Sequence, residues 1–168
     1  MSLLSFSFDS SLLVRDVAGS YRAAEPNEVL QAALRVLAGQ LRGSEALSSP
    51  QVVRDFLRIK LGTLEHEVFA VIHLDAQHRV IEYVEMFRGT VSQTSVYPRE
   101  IVKECLARNS AALILVHNHP SGVAEPSRAD ELLTQTLKNA LALVDVRVID
   151  HLIVAGPAIL SFAERGLL

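Results

Sequence analysis

Apolar residues recur at helical spacing, three and four positions apart, in four segments of the chain. Residues that favour the start or the end of a helix flank each segment; one example is Ser49, an N-cap type, directly before Pro50. Four helices are therefore predicted, bounded by Asn27 and Gly43, by Ser49 and Gly62, by Tyr97 and Asn109, and by Ser127 and Leu143.

Five other segments have the continuous or alternating apolar pattern that is typical of β-strands. They are residues 67–75, 79–87, 111–116, 144–155 and 159–162. The first of them is apolar on both faces, which predicts a central strand. Strands outnumber helices and short turns join some of them. We therefore expect an α+β (mixed α/β) fold, with helices flanking a central and mainly antiparallel sheet.

The N-terminal part of the chain has a different pattern. Residues 1–26 show no clean period and predict a loose arm that packs on the rest of the protein. The first predicted helix has an apolar stripe that must cover a core or a partner chain, which makes it a candidate homodimer interface. We accordingly expect an N-terminal arm and helix over 1–48 and a main domain over 49–168.

Composition narrows the class of protein. The chain has 168 residues, 49% of them apolar and 21% charged, enough to bury a core without disulfides. Its single cysteine, Cys105, and an N-terminus without a basic signal-peptide segment predict a cytoplasmic protein. No apolar run approaches the roughly 20 residues that span a bilayer, so no membrane association is expected. The net charge of −3 argues against direct nucleic-acid binding.

Candidate chemistry is concentrated where the strand 111–116 ends. His117 and His119 follow it two residues apart, so that period-2 geometry places both imidazoles on one side of the strand end. Pro120 stops the strand because it has no N–H to donate. Asp130 lies near the start of the next helix, where it can bring a carboxylate back toward the histidines. Two imidazoles and one carboxylate leave a fourth tetrahedral position for water, as in catalytic zinc sites.

Ser127 and Asp130 also have a simpler interpretation. Their spacing is that of a capping box, in which the serine side chain accepts the backbone N–H of the residue three positions later and that residue's side chain accepts the backbone N–H of the serine. The two interpretations are compatible, since a capped first turn would hold a metal ligand rigidly. The spacing His-x-His-Pro-x6-Ser-x-x-Asp therefore predicts one zinc ion bound by His117, His119 and Asp130.

This spacing resembles the JAMM (MPN+) motif of zinc metallopeptidases. The longer sequences HNHPSG (117–122) and EPSRAD (125–130) are similar to the bacterial RadC-like branch, and the resemblance extends from about Ser49 to Leu168. It implies a JAB/MPN-like fold and hydrolysis of an amide or isopeptide bond in a peptide or protein conjugate. The full-length RadC-like proteins carry a helix-hairpin-helix region that binds DNA, and residues 1–48 show none of its glycine hairpins.

The resemblance also implies roles for individual residues. Glu67 aligns with the family's catalytic glutamate, two residues before an aromatic residue, with Glu65 as the rival. Ser127 would cap the helix, help to hold the oxyanion of the tetrahedral intermediate, or do both. Candidates for supporting contacts around the metal are Asn118, Ser121 and His151.

A non-enzymatic function is the alternative. The domain would then be a protein-interaction scaffold or a DNA-repair accessory that holds zinc without catalysis. The complete ligand set together with Glu67 favours the enzyme, because a structural zinc has no use for an open coordination position.

Overall fold

The structure is a computed structural model, and it describes residues 12–42, 44, 50–90 and 94–168. Its elements in chain order are β1 (Leu13–Arg15), β2 (Tyr21–Ala23), α1 (Pro26–Leu41), α2 (Pro50–Leu61), β3 (Val68–Leu74), β4 (Val80–Arg88), α3 (Pro98–Ala107), β5 (Ala112–Asn118), α4 (Arg128–Ala142), β6 (Arg147–Ala155) and β7 (Ala158–Ser161). No helix among these residues is both long enough and apolar enough to cross a bilayer.

Five of the strands form one mixed sheet in the order β4-β3-β5-β6-β7. Both β3 and β5 are buried over their whole length, which explains their continuous apolar sequences and confirms that β3 is central. The pairs β4–β3, β3–β5 and β6–β7 are antiparallel, while β5 and β6 are parallel and are connected through α4. The predicted α+β class, with a mainly antiparallel central sheet, is confirmed.

Helices cover both faces of this sheet and create two apolar layers. Alternate residues of β3 point into different layers: Ala70 and Ile72 pack with α1 and α2, whereas Phe69 and Val71 pack with α3 and α4. Cys105 is fully buried in the second layer, and this burial raises the pKa of its thiol to about 12. The buried thiol therefore serves packing.

Several predictions for these elements were wrong; β5, for example, continues through Asn118 instead of ending at residue 116. Within the stretch predicted to be a loose arm, β1 and β2 form an antiparallel hairpin whose register pairs Leu13 with Ala23. The first helix begins before Asn27, because Pro26 suits the first helical position and Glu28 accepts the backbone N–H of Glu25 at 2.9 Å. The predicted N-cap of the second helix, Ser49, lies outside the described residues, as do residues 1–11 of the arm.

The start of β6 was also predicted wrongly, since this strand begins at Arg147 rather than at Val144. Val144 still belongs to the turn after α4, since its N–H donates to the carbonyl of Leu141 at 3.0 Å. Asp145 then takes a left-handed conformation (φ 59°) that no strand residue adopts, so the strand starts only beyond it.

Candidate metal centre

The end of β5 and the start of α4 bring the predicted ligands together. Nε2 of His117 lies 2.9 Å from Nε2 of His119 and 3.2 Å from Oδ1 of Asp130, and His119 Nε2 lies 3.6 Å from Oδ2 of Asp130. Donor atoms about 2.1 Å from a tetrahedral zinc are roughly 3.4 Å from one another. The three side chains therefore match the spacing that one zinc ion requires, and a group able to bind a metal ion is present.

A tight turn orients His119. Its backbone carbonyl accepts the N–H of Gly122, which takes a left-handed conformation (φ 77°) that suits glycine. The turn places the carbonyl of Val123 2.8 Å from Nδ1 of His119. Because a carbonyl only accepts, Nδ1 must carry the proton, and Nε2 is left with a lone pair facing Asp130.

A buried chain of hydrogen bonds fixes His117 in the same way. The Thr134 hydroxyl donates its one proton to the carbonyl of Asp130 at 2.6 Å, so it must accept from Nδ1 of His151, also at 2.6 Å. Nε2 of His151 is then an acceptor, and Nδ1 of His117 donates to it at 2.8 Å. His117 consequently presents an unprotonated Nε2 to the site.

The site is therefore built for a cation. Two nitrogen lone pairs 2.9 Å apart and facing a carboxylate repel one another unless a proton or a metal ion lies between them. Hydrogen bonding to Asp130 raises the pKa of His119 above its ordinary value. For Asp130 itself, burial acts to raise the pKa, but the facing His117 and His119 imidazoles, which donate to the carboxylate whenever Nε2 is protonated, outweigh burial and hold the pKa well below the usual range.

The Asp130 carboxylate also belongs to the helix start. It accepts the backbone N–H and the hydroxyl of Ser127 at 2.7 Å each, while the Ser127 hydroxyl accepts the backbone N–H of Asp130 at 3.2 Å. The capping box predicted from the spacing is thus present, and it holds the carboxylate against the histidines. The Ser127 hydroxyl has a single proton, so donation to an oxyanion requires it to leave Asp130.

Glu67 lies directly before the start of β3, the strand that pairs with β5. Its Oε2 accepts the Thr94 hydroxyl at 3.2 Å. It lines a pocket of about 490 Å³ together with His119, Ser121, Ser127 and Asp130. Glu65 is exposed and is not among the residues that line this pocket.

The other predicted residues occupy different places around the centre. His151 is fully buried and bonded to His117, as described above, and its burial keeps its pKa well below the ordinary value. Ser121 is exposed in the turn. The side chain of Asn118 bonds to the backbone on either side of Glu67 rather than to a candidate ligand side chain.

Two residues that support the candidate ligands were not predicted from the sequence. Thr134 links Asp130 to His151, and its position one helical turn after Asp130 was the only signal for it. The Phe69 ring is nearly parallel to the His117 ring, at 14°, with 6.3 Å between centroids. In the sequence, Phe69 is recognisable only as an apolar residue on a predicted central strand.

Comparison with known proteins identifies the family. The RadC-like JAB domain model matches residues 47–167 of the chain. A UPF0758 protein of Leptothrix cholodnii is 62% identical over 150 residues, which cover 89% of this chain and 68% of the relative. A UPF0758 protein of Methylibium petroleiphilum is 57% identical over 167 residues, covering 95% of this chain and 75% of the relative. The chain therefore belongs to the RadC-like JAB domain family.

Proposed function

We propose that this protein is a zinc-dependent hydrolase that cleaves an amide or isopeptide bond. The observation that carries the proposal is the convergence of His117 Nε2, His119 Nε2 and the Asp130 carboxylate, with both imidazoles in fixed tautomers. His119 and Asp130 line a pocket that Glu67 also lines. Zinc bound by three protein ligands activates water at neutral pH and polarises a carbonyl group.

Glu67 is proposed as the general base and acid. Its carboxylate takes a proton from the attacking water and returns it to the leaving amine, so that the same oxygen ends each cycle unprotonated. Only Oε2 has a described side-chain donor, Thr94, and Oε1 is the oxygen assigned to the water. Ser127 is proposed to turn its hydroxyl from Asp130 to the oxyanion, since a carboxylate that held a cation would be a weaker acceptor for that hydroxyl.

The pocket favours an amide with an apolar neighbour. Its lining combines the polar groups named above with four apolar residues, Val96, Pro120, Ala129 and Leu133. A peptide or a protein conjugate with an aliphatic residue next to the scissile bond fits this mixed lining. The protein is proposed to act on such substrates in the cytoplasm, without a nucleic-acid or membrane partner.

The experiment combines metal analysis with a panel of peptide amides and isopeptides. Zinc-loaded wild type should cleave at least one of them, and Glu67→Gln should keep its zinc while cleaving about 10²–10⁴-fold more slowly, the usual contribution of acid–base catalysis. Glu65→Gln is the matched control. Glu65 lies two residues before Glu67 and is exposed, so this variant removes the same charge outside the pocket.

Three outcomes contradict parts of this proposal. Full activity in Glu67→Gln removes the glutamate from the mechanism, and a loss in Glu65→Gln alone moves the role to that residue. A protein that keeps one zinc per chain and cleaves nothing supports the scaffold or DNA-repair accessory function. A DNA titration at varied salt then separates these two, since phosphate contacts weaken steeply as salt rises.

A further inference from the structure

Asn118 stands between the two histidine ligands in sequence and faces away from them. It is the last residue of β5 and only 2% exposed. Because side chains alternate along a strand, the neighbours His117 and His119 point to the metal side while the Asn118 amide points to the other face. A buried amide with no role at the metal must find hydrogen-bond partners elsewhere.

Those partners are the two peptide groups that flank Glu67. Oδ1 of Asn118 accepts the backbone N–H of Val68 at 2.7 Å, and Nδ2 donates to the carbonyl of His66 at 3.0 Å. Since an N–H only donates and a carbonyl only accepts, both ends of the amide are assigned without ambiguity. The side chain thus spans Glu67 with one bond on either side of it.

The contacts lie where regular pairing between β3 and β5 ends. The last backbone pair in this direction joins Phe69 to His117. Beyond this pair, the Asn118 side-chain amide, rather than the β5 backbone, makes the hydrogen bonds on the β5 side of Glu67. On the other side, the Glu67 N–H donates to the carbonyl of Thr90 and its own carbonyl accepts the N–H of Gly89, each at 2.8 Å.

We propose that Asn118 is a positioning residue that fixes the Glu67 carboxylate relative to the metal ligands. The proposal rests on the hydrolase function proposed above. Asn118 is the peptide neighbour of both histidine ligands, so its two bonds give Glu67 and the ligands one common rigid frame. Such a frame matters because misplacement of a catalytic group by about 1 Å can cost about 10²-fold in rate.

The first test compares variants of Asn118 in zinc-loaded protein, using the panel substrate that wild type cleaves fastest. Asn118→Leu removes both bonds at similar size, and Asn118→Asp keeps the acceptor for Val68 in case the leucine variant does not fold. Both should keep one zinc per chain and an unchanged KM, while kcat falls about 10- to 100-fold. The control is Ser110→Ala, which removes a buried polar contact at the opposite end of β5 and should keep full kcat.

A second measurement excludes a merely structural role. If Asn118 acts through Glu67, adding Asn118→Leu or Asn118→Asp to Glu67→Gln should lower kcat no further. Without any substrate, amide hydrogen exchange at Val68 should accelerate in Asn118→Leu and remain slow in Ser110→Ala, because Asn118 Oδ1 is the acceptor for that N–H.

The outcomes separate this inference from the proposed function. Wild-type kcat in both Asn118 variants, an equal further loss in the Glu67→Gln background, or unchanged exchange at Val68 overturns the inference alone. If wild type cleaves no substrate, or if Glu67→Gln has no effect, the hydrolase proposal fails first and the positioning role fails with it.

Discussion

The paired strands β3 and β5 carry buried histidines at both ends, and the two ends differ in how these side chains are bonded. At one end, His117 has a partner for each ring nitrogen, namely His151 at Nδ1 and the His119–Asp130 pair at Nε2. At the other end, Nδ1 of His73 contacts the Ser110 hydroxyl at 2.8 Å, and Nε2 has no partner among the described residues.

The difference shows what makes a buried histidine suitable as a metal ligand. Both side chains are nearly inaccessible, with His73 at 0% and His117 at 6% exposure. Burial alone leaves His73 a neutral core residue, and it lowers the pKa of that residue to about 4. At the His117 end, fixed hydrogen-bond acceptors for Nδ1 impose the tautomer and a carboxylate supplies the charge, so the same residue type faces a candidate cation site.

The largest expected effect comes from removing the ligands. His117→Ala or His119→Ala should reduce bound zinc from about one ion per chain to almost none, whereas His73→Gln should leave zinc content unchanged. Asp130→Ala should weaken binding and also loosen the start of α4, at about 1 kcal/mol for the lost cap. Metal analysis after dialysis measures all four proteins, and a wild type that holds no divalent metal without chelators would contradict the zinc site.

The next effect concerns the His73 end and acid stability. The folded protein holds the pKa of His73 near 4, against an ordinary value of 6.5, so the unfolded chain binds a proton first as the pH falls. This contribution to the free energy of unfolding is complete above about pH 6.5 and is lost as the pH falls through 4. The full loss amounts to about 3 kcal/mol, since one pKa unit corresponds to about 1.4 kcal/mol.

Urea titrations of metal-free protein between pH 7 and pH 4 measure this loss. His73→Gln cannot titrate, so its free energy of unfolding should fall less than that of wild type over the same range. Parallel curves for the two proteins would show that His73 is not the group responsible. The metal must first be removed with a chelator, because release of zinc in acid would otherwise add its own pH dependence to the free energy of unfolding.

A smaller effect is expected from the hydrogen-bond chain behind His117. Thr134→Val keeps the shape of the side chain but removes the acceptor for Nδ1 of His151. His151 is then free to protonate Nε2 instead, which would reverse the bond to His117 and put a proton on its metal-binding nitrogen. Zinc affinity should fall about 10- to 100-fold, as is typical when such supporting contacts are removed.

Thr136→Val is the matched control for this prediction. Thr136 lies on the same helix and donates to the carbonyl four residues earlier, as Thr134 does, but it is exposed and remote from His151. Competition with a chromophoric chelator gives both affinities. Equal affinities in the two variants would mean that the hydrogen-bond chain does not set the tautomer of His117.

The parts of the site that the sequence predicted are those that depend on local order. The apolar run of β5 followed by His117 and His119 places two imidazoles at a strand end, and the spacing from Ser127 to Asp130 defines a capping box. Each of these inferences needs only a strand or a single helical turn, and each was therefore available from neighbouring residues.

Contacts that depend on strand register were out of reach. Asn118 meets the backbone beside Glu67 only because Phe69 pairs with His117, and no local pattern specifies that register. Thr134 meets His151 only because α4 crosses over to the parallel neighbour of β5. The β1–β2 hairpin was missed for a different reason: its strands have three residues each and lie mostly exposed, so no burial period marks them.

Variants of Ser127 have the smallest expected effect on stability. They distinguish its two roles, as the N-cap of α4 and as the proposed hydrogen-bond donor to the oxyanion. Ser127→Ala removes the N-cap and should lower the free energy of unfolding by about 1 kcal/mol, whereas Ser127→Gly should cost only a few tenths, because glycine is tolerated at that position. Both variants lack the hydroxyl proposed to hold the oxyanion. Hydrolysis should therefore fall in both by a similar factor, up to about 10²–10³, despite their different stabilities. If hydrolysis fell only in Ser127→Ala, the loss of activity would result from the destabilised start of α4. Ser127 would then serve only to hold Asp130 in place.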